Sequence, residues 1–575
     1  MAFELPKSPQ DLFNLTWTHV EPIAKELVER PVTQANIESW LMDWSDLSRT
    51  VSEAYQRRYV ASTVDTTDPI AQERYAAYLD DIHPNWQAAE QKLKEKLLAS
   101  GLQSKAMSTS GMQTPLRNMR AEAALFREAN LPLLSEELKL STEYDQIIAA
   151  QTVTWEGQEV TLMQLLPVFL EADRTKRQRA WELAAGRRLQ DRSALNDLWA
   201  RFMDVRRKIP ANADLPDFTA YKWVQMLRFD YTPQDCASFH QAIEEVVVPA
   251  ATRLYEKRRQ KLGVKSLRPW DLDIDLYGQE PLQPYKDIQE LIDKTGVIFH
   301  KVDPQLGEYF ATMRQEGLLD LENRKGKAPG GYCESYDLAR RPFIFMNGVG
   351  IHDDVLTLLH EGGHAFHVFE MAHLPNHRQI QITNEIAEVA SMSMELLASP
   401  YITTDQGGFY SQKDAARARL SHLEQILLFW PYMAVVDALQ HWAYKNHAAA
   451  SHPANCETQW VELWQRFMPG VDWSGLEDSL MTRWQRQLHI YQVPFYYVEY
   501  GLAQLGAVQV WRNALKDQAK AIADYRSALA LGATVPLPQL FAAAGAKFAF
   551  DTATLREAVD LIENTMLKLE EGLTG

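Results

Sequence analysis

The sequence predicts a mainly α-helical protein with a small β-sheet placed directly before one central helix. Apolar residues recur at spacings of three and four along most of the chain, which is typical of helices that bury one face. Short runs with strand character between residues 318 and 346 are followed at once by a helical pattern that begins near His352. The residues that suit metal chemistry occur at this junction of sheet and helix.

The first 209 residues predict a helical lobe. The helical spacing extends from residue 14 to about 100 and continues over residues 105–150. A short β-hairpin is expected at Val153–Leu162, with Gly157 at its turn. Two prolines in the polar stretch from Ile209 to Pro216 indicate a boundary after this lobe.

Residues 210–575 predict a second lobe that carries the sheet and the central helix. Three strand-like runs precede the helix, at Leu318–Leu321, Tyr332–Tyr336 and Pro342–Met346. Helical spacing returns after them and continues to the end of the chain. The last helices, over residues 510–575, are candidates for packing back onto the first lobe.

Composition and charge exclude several classes of protein. The net charge of −17 disfavours a nucleic-acid binder and a protein that binds anionic membranes. No apolar run reaches the length of about 18 residues that a transmembrane helix needs. The three cysteines are widely separated, so they form no disulfide framework and lack the clustered spacing of a cysteine zinc site. Residues 1–8 carry no secretory signal pattern, and the cytoplasm is the expected compartment.

The central helix contains the pattern HEGGH, an instance of H-E-x-x-H. His360 and His364 are four residues apart, so on a helix their side chains project from one face and can bind one Zn²⁺ together. Glu361 then points at the open position of the metal, where a water would be bound. The pattern is a moderate signal alone and needs support from the rest of the chain.

Two further features of this helix follow from its sequence. Asp353 or Asp354 can cap its start. Gly362 and Gly363 each weaken a helix by about 1 kcal/mol relative to alanine. A helix that keeps two adjacent glycines is expected to have a neighbour packed close against it there.

A catalytic zinc site needs a third protein ligand and an open coordination position. Glu385 and Glu388 lie one turn apart on a downstream helical segment, and geometry alone does not choose between them. The segment is otherwise largely apolar, so acids on it are costly unless they are paired or coordinated. His367 lies about 10.5 Å along the helix from His360, too far to bind the same ion. We expect it to pack, to support the ligands or to contact substrate.

The H-E-x-x-H pattern is typical of metallopeptidases. A metallopeptidase also needs donors for the negative oxygen that forms when water attacks a peptide carbonyl. Histidine and tyrosine side chains are suitable, and a stretch near residue 490 is rich in both. Tyr497 and Tyr500 are three residues apart and share a helical face, so both can point to one side. Tyrosine clusters are more often part of a core or an interface.

Several stretches of the chain resemble one known enzyme family. They are Gly330-Gly331-Tyr332-Cys333, Pro342 to Asn347, Asp354 to His364, Ala387 to Glu395, His489, and Pro494 to Gly501. Together they resemble the thimet oligopeptidase and oligoendopeptidase F family of zinc metallopeptidases, and the oligoendopeptidase F branch most. The resemblance implies a large two-lobed helical zincin-type peptidase with a deep central channel. It also implies one zinc ion per chain at the channel floor, and short peptides as substrates.

The resemblance also implies roles for individual residues. It assigns the third zinc ligand to Glu388, and the oxyanion and substrate contacts to His489, Tyr497 and Tyr500. It also implies that Ser391, Glu385 and Glu395 support the ligands. Residues expected to bind the substrate are Gly330, Gly331, Phe345, Met346, Asn347 and Tyr496. The strand before the central helix is expected to hold the substrate backbone by adding it to a free sheet edge.

The predicted function is a zinc-dependent endopeptidase that hydrolyses internal bonds of short oligopeptides, with a zinc-activated water and Glu361 as general base. One alternative is a zinc exopeptidase of the dipeptidyl carboxypeptidase type. Another is a peptide-binding metalloprotein without turnover, which the presence of Glu361 and all three ligands disfavours. Short peptides are the expected partners, without nucleic acid or membrane. Sites of two histidines and one glutamate also accept other divalent ions.

Overall fold

The computed structural model describes residue 6 and residues 8–102, 111–277, 280–324, 326–328 and 330–574, and it is mainly α-helical as predicted. Part of the predicted helical pattern over residues 105–150, and most of residues 1–8, lie outside the described residues. No helix in the described part of the chain combines the length and the apolar composition needed to cross a membrane.

The α-helices vary from a single turn to more than thirty residues. They span Pro9–Phe13, Trp17–Glu29, Ile37–Val64, Pro69–Ala77, His83–Ala99, Gln113–Leu125, Leu131–Ala149, Leu166–Phe169, Arg174–Gln190, Arg192–Asn212, Phe218–Gln225, Pro233–Leu262, Ile288–Val302, Pro304–Gln315, His352–Met371, Asn384–Ala398, Gln412–Lys445, His447–Ala450, Pro453–Phe467, Glu477–Met481, Leu488–Tyr491, Tyr497–Ala514, Gln518–Ala530, Leu537–Ala543 and Thr552–Thr574. We call His352–Met371 the HEGGH helix and Asn384–Ala398 the Glu388 helix.

The predicted hairpin is confirmed. Strands Thr152–Trp155 and Gln158–Thr161 pair antiparallel. Glu156 and Gly157 join them with φ values of 49° and 85°. Positive φ at both central residues is what a tight turn needs to match the twist of the two strands.

The three strands predicted before the HEGGH helix are also confirmed, but their order corrects one expectation. Arg341–Gly348 is the middle strand, parallel to Leu319–Glu322 on one side and antiparallel to Tyr332–Tyr336 on the other. It pairs with Tyr332–Tyr336 over Arg341 to Phe345, and with Leu319–Glu322 at Ile344, Phe345 and Gly348. The expectation that this strand offers a free edge to substrate is wrong over these paired residues, and the edge strands are the two that flank it.

The chain divides into two compact units, each built from three segments. The first contains residues 1–124, 282–415 and 506–548, and the second contains residues 125–281, 416–505 and 549–575. These units differ from the predicted lobes of residues 1–209 and 210–575, because residues distant in sequence pack together. Residues 510–575 are accordingly shared between the two units.

The predicted lobe boundary falls inside a helix. Ile209 and Pro210 lie in the last turns of Arg192–Asn212, and both are buried. A proline costs a helix one backbone hydrogen bond, but burial of the surrounding apolar surface can outweigh that loss. The proline therefore signals no boundary here.

The core of the first unit surrounds the HEGGH helix. This helix packs against the Glu388 helix, the middle strand of the sheet, and the helices Ile288–Val302 and Gln518–Ala530. Phe299 and Phe366 meet edge to face with ring centroids 4.8 Å apart. Because the helix is surrounded by packed elements, its side chains are held in fixed directions.

The second unit has an aromatic core of its own. Tyr491 stacks on Trp484 with ring centroids 5.6 Å apart and an angle of 8° between the rings. Trp199 meets the edge of Trp484 at 5.2 Å. This core lies beside the short helix Leu488–Tyr491, which carries His489.

Candidate metal centre

One aspartate fixes the start of the HEGGH helix. The Oδ2 atom of Asp354 accepts hydrogen bonds from the backbone N–H groups of Val349, Gly350 and Ile351 at 2.8–2.9 Å. These bonds tie the end of the middle strand to the first turn of the helix. Of the two predicted caps, Asp354 is therefore the one whose carboxylate accepts these backbone hydrogen bonds.

The three predicted ligands meet on facing helices. The Nε2 atoms of His360 and His364 lie 3.3 and 3.8 Å from Oε2 of Glu388. One ligand atom from each of the three residues lies within 4.8 Å of the others. The two imidazole rings are 5.0 Å apart, one turn along the helix, at an angle of 83°. Two imidazoles and one carboxylate can thus share one ion.

Two further side chains hold these ligands in place. Oε1 of Glu395 lies 2.6 Å from Nδ1 of His360. Ser391 donates its hydroxyl to Oε2 of Glu388 at 2.9 Å. A carboxylate on the far nitrogen of a histidine places the proton there and leaves Nε2 as the lone-pair donor. Glu385 is buried one turn before Glu388 and does not join the group of converging ligand atoms.

His360 and Glu388 shift one another's pKa values. Burial alone would lower the pKa of His360, but hydrogen bonds to Glu388 and Glu395 outweigh it and raise the pKa well above its ordinary value. Burial alone would raise the pKa of Glu388, but the hydrogen bond to His360 and the charges of both histidines lower it. The two shifts are opposite because each group stabilises the charged form of the other.

The other two HEGGH side chains have pKa values shifted mainly by burial. Burial lowers the pKa of His364 to about 4, so its imidazole is neutral near pH 7 and available as a ligand. Burial raises the pKa of Glu361 to about 7. Its Oε2 atom has no hydrogen-bond partner among the described residues. Glu361 is therefore a buried carboxyl group that can exchange a proton near neutral pH.

The two glycines of the pattern are explained by close packing. A Cβ atom on Gly363 would lie 2.5 Å from the backbone oxygen of Ala390 and 2.5 Å from Cα of Ser391. A Cβ atom on Gly362 would lie 2.4 Å from the ring of Phe299. Gly363 thus lets the Glu388 helix approach closely enough to bring its carboxylate to the histidines.

His367 packs in the core near these residues. It is 2% exposed, and neither ring nitrogen has a hydrogen-bond partner in the part of the chain that the structure describes. Burial lowers its pKa to about 3, so the ring is neutral.

The residues predicted to bind substrate occupy different positions. Phe345 and Met346 are fully or almost fully buried in the middle strand. Asn347 donates from Nδ2 to the backbone oxygens of Ala328 and Gly330 at 2.8 and 3.0 Å, and so holds the turn before the edge strand. A Cβ atom on Gly331 would lie 3.5 Å from the backbone oxygen of Phe345.

The edge strand Tyr332–Tyr336 also packs against the HEGGH helix. Burial raises the pKa of the Cys333 thiol well above its ordinary value, and the charge of Glu361 raises it further. Among the described strands, Tyr332–Tyr336 pairs only with the middle strand.

The predicted histidine and tyrosines form one cluster in the second unit. The ring centroid of His489 lies 4.8 Å from that of Tyr497, 5.7 Å from Tyr496 and 6.0 Å from Tyr500. The amide of Gln487 donates to Nδ1 of His489 at 2.7 Å, which leaves the N–H on Nε2. Burial lowers the pKa of His489 to about 4, so the ring is a neutral donor.

A turn with a left-handed residue, Phe495, lies between His489 and the tyrosine helix. Phe495 has φ of +68°, a conformation that costs a non-glycine residue roughly 1 kcal/mol. Its N–H donates to Oε1 of Gln440 at 2.6 Å, and its backbone oxygen accepts from Arg228 at 2.5 Å. Arg228 also pairs with Glu499 at 2.7 Å, with both side chains buried. These contacts fix where the helix that begins at Tyr497 points.

Two family models match the chain. The model described as Peptidase family M3 matches residues 169–560, and that described as Peptidase M3 N-terminal domain matches residues 14–126. The first match alone covers more than half of the sequence. The chain belongs to Peptidase family M3.

Proteins similar to this M3 family chain carry peptidase names. Oligopeptidase PepF of Bacillus subtilis (strain 168) is 34% identical over 104 residues, which are 17% of this chain and 15% of that protein. The match thus spans less than a fifth of that curated relative. The structure described as PZ peptidase A with inhibitor 2 is 27% identical, with a TM-score of 0.86 over 99% of both chains. A protein provisionally named oligoendopeptidase F is 28% identical, with a TM-score of 0.86 over 98% of both chains.

Two features of this M3 family chain were not predicted from its sequence. The Arg228 contacts to the Phe495 turn join residues more than 260 positions apart, and no local pattern marks them. The second is the place of Cys333 on an edge strand, which depends on the strand order. Pro494 before Phe495 is the one local signal of a turn there.

Proposed function

We propose that this protein is a zinc-dependent endopeptidase that hydrolyses internal peptide bonds of short oligopeptides. Membership of Peptidase family M3 and similarity to proteins named oligopeptidase PepF and oligoendopeptidase F support this proposal. The single observation that carries it is the convergence of His360, His364 and Glu388 beside the buried carboxyl group of Glu361.

The side chains present fit a zinc ion. Catalytic zinc sites commonly use three protein ligands drawn from imidazoles and a carboxylate. His360, His364 and Glu388 supply this set on two packed helices, and Glu395 and Ser391 hold two of the three ligands. When bound, the ion supplies Lewis acidity, which lowers the pKa of water and polarises a peptide carbonyl group.

Glu361 is proposed to move the proton. Its pKa of about 7 lets the carboxylate accept a proton from the attacking water at Oε2. The same group can then donate that proton to the nitrogen of the leaving amine. A base whose pKa lies near the working pH combines a useful ionised fraction with sufficient basicity.

His489, Tyr497 and Tyr500 are proposed to donate hydrogen bonds to the oxyanion, and Tyr496 to contact the substrate. The family resemblance assigns these roles. Their clustering and the neutral state of His489 support them, because an N–H or O–H group must be a donor for this task.

The substrate backbone is proposed to pair with the edge strand Tyr332–Tyr336. This strand replaces the middle strand in that role because it keeps one side unpaired among the described strands. Gly330, Gly331 and Asn347 then act by shaping the turn that leads into it. Phe345 and Met346 support the strand from within the core.

Hydrolysis of a fluorescence-quenched oligopeptide tests the proposal. Glu361→Gln should bind zinc as the unchanged protein does while the rate of hydrolysis falls by at least ~10²-fold. Glu38→Gln is the matched control, because Glu38 is exposed on a helix of the first unit and should keep full activity. Full activity of Glu361→Gln would show that another group is the base.

Blocked peptides separate the proposal from its alternatives. An endopeptidase cleaves peptides capped at both ends, whereas a dipeptidyl carboxypeptidase needs a free carboxyl terminus. Mass spectrometry of the fragments identifies the cleaved bond. Zinc and peptide binding without any cleavage would favour the binding protein instead.

A further inference from the structure

A second group of metal-binding side chains lies in the second unit. Cys236 and His240 are four residues apart on the helix Pro233–Leu262. Asp437 and His441 are four residues apart on the helix Gln412–Lys445. Each pair therefore projects from one helix face, the same spacing that brings His360 and His364 together.

The two pairs face one another. His240 Nε2 donates a hydrogen bond to Oδ2 of Asp437 at 2.8 Å, and His441 Nε2 lies 3.3 Å from the same oxygen. One ligand atom from each of Cys236, Asp437 and His441 lies within 4.8 Å of the other two. Cys236 forms no disulfide.

The cluster contains a buried charge with unused coordination. Cys236 and Asp437 are 0% exposed. Oδ1 of Asp437 and Nε2 of His441 have no hydrogen-bond partner among the described residues. A buried carboxylate is costly unless its oxygens are paired or coordinated.

We propose that Cys236, Asp437 and His441 bind a second transition-metal ion of the zinc class, with His240 positioning the carboxylate of Asp437. A sulfur, an imidazole nitrogen and a carboxylate oxygen suit Zn²⁺ or Co²⁺, whereas Mg²⁺ and Ca²⁺ prefer oxygen alone. The hydrogen bond from His240 corresponds to the outer contact that orients a metal ligand.

The spacing of the side chains admits such an ion. Donors at 2.0–2.3 Å from a tetrahedral ion lie about 3.3–3.8 Å from one another. Separations within 4.8 Å therefore need to close by at most about 1.5 Å, which rotation of the side chains can supply. The same upper limit holds for His360, His364 and Glu388. The side chain of His441 is 21% exposed, although its Nε2 atom is buried.

Binding at this site has a structural consequence. The ion links two long helices of the second unit and adds stability to the folded state, because the unfolded chain does not hold the ligands together. The chain then binds two ions, one at each cluster. The site is independent of peptide hydrolysis, so its test needs no substrate.

Cobalt substitution of the full chain tests the site. Co²⁺ bound by a thiolate gives a near-ultraviolet charge-transfer band, which a site of two histidines and one glutamate does not give. We expect this band and about two bound cobalt ions per chain. Cys236→Ser should abolish the band and release one ion. Cys333→Ser and Cys456→Ser, which remove the other two thiols of the chain, should keep both.

Two outcomes overturn the proposal. One is a protein without the charge-transfer band at cobalt saturation. The other is a band that survives Cys236→Ser or disappears in Cys333→Ser. If Cys236→Ser does not fold, His441→Asn removes another proposed ligand at a partly exposed position, and binding of the second cobalt ion is measured instead. It should weaken binding of the second ion at least ~10-fold, and unchanged binding would count against the site.

Discussion

Replacing Gly363 with alanine tests the packing that brings the third ligand to the histidines. The added Cβ would lie 2.5 Å from the backbone oxygen of Ala390 and 2.5 Å from Cα of Ser391. Non-bonded atoms rest about 3.5 Å apart, so the two helices must separate by about 1 Å. The neighbours are helix backbone, which cannot rotate away as a side chain can.

The magnitude follows from this displacement. Overpacking typically costs ~1–3 kcal/mol, and the higher helix propensity of alanine returns up to ~1 kcal/mol. We therefore expect Gly363→Ala to lower the free energy of unfolding by about 1–2 kcal/mol. A displacement of ~1 Å at a reacting group can cost ~10²-fold in rate, so kcat/KM should fall by about that factor.

Urea unfolding, zinc content and hydrolysis of a quenched peptide measure these effects. Gly186→Ala is the matched control, because a Cβ atom on Gly186 in the helix Arg174–Gln190 meets nothing within 4 Å. It should gain up to ~1 kcal/mol of stability and keep its activity. Wild-type zinc content and activity in Gly363→Ala would refute the role of close helix packing.

Three further predictions concern Glu395 and Glu334 in the first unit and Glu499 in the second. Glu395→Gln removes the charge that holds Nδ1 of His360 and should weaken zinc binding ~10–100-fold, measured by competition with a chelator; equal affinity would contradict this. Burial raises the pKa of Glu334 to about 7, above its unfolded value of about 4.3. The folded protein therefore holds this proton more tightly than the unfolded chain, so the stability that protonated Glu334 contributes is present at low pH and is lost as the pH rises through 7. Glu334→Gln should remove this loss and gain up to ~3 kcal/mol over wild type between pH 5 and pH 8 by urea unfolding, whereas a pH-independent difference would exclude the linkage. Glu499→Gln leaves the buried Arg228 without its charge partner and should destabilise the second unit by ~3 kcal/mol in thermal unfolding, with no change expected if the pair is dispensable.

Local patterns in the sequence predict much of the site. The spacing of His360 and His364 follows from the helix period alone, as does the cap by one of two aspartates. The hairpin at residues 152–161 and the three strands before the HEGGH helix follow from alternation and turn residues. Each of these features is decided by residues within one or two turns of each other.

Features decided by distant residues could not be predicted in this way. The order of the three strands depends on which backbone edges meet after folding, so the middle position of Arg341–Gly348 has no local signal. Glu385 and Glu388 lie one turn apart on one helix, and only the packing against Gly363 brings Glu388 to the histidines. Each unit joins three segments that are far apart in the sequence, whereas the predicted lobes divide the chain at a single point after residue 209.

Anomalous X-ray scattering at the zinc edge, from crystals of the full chain grown with zinc, is the most direct test of the candidate metal centre. We predict a peak about 2.0–2.2 Å from Nε2 of His360, Nε2 of His364 and a carboxylate oxygen of Glu388. A peak held by Glu385 in place of Glu388, or no zinc between the two histidines, would contradict the proposed site.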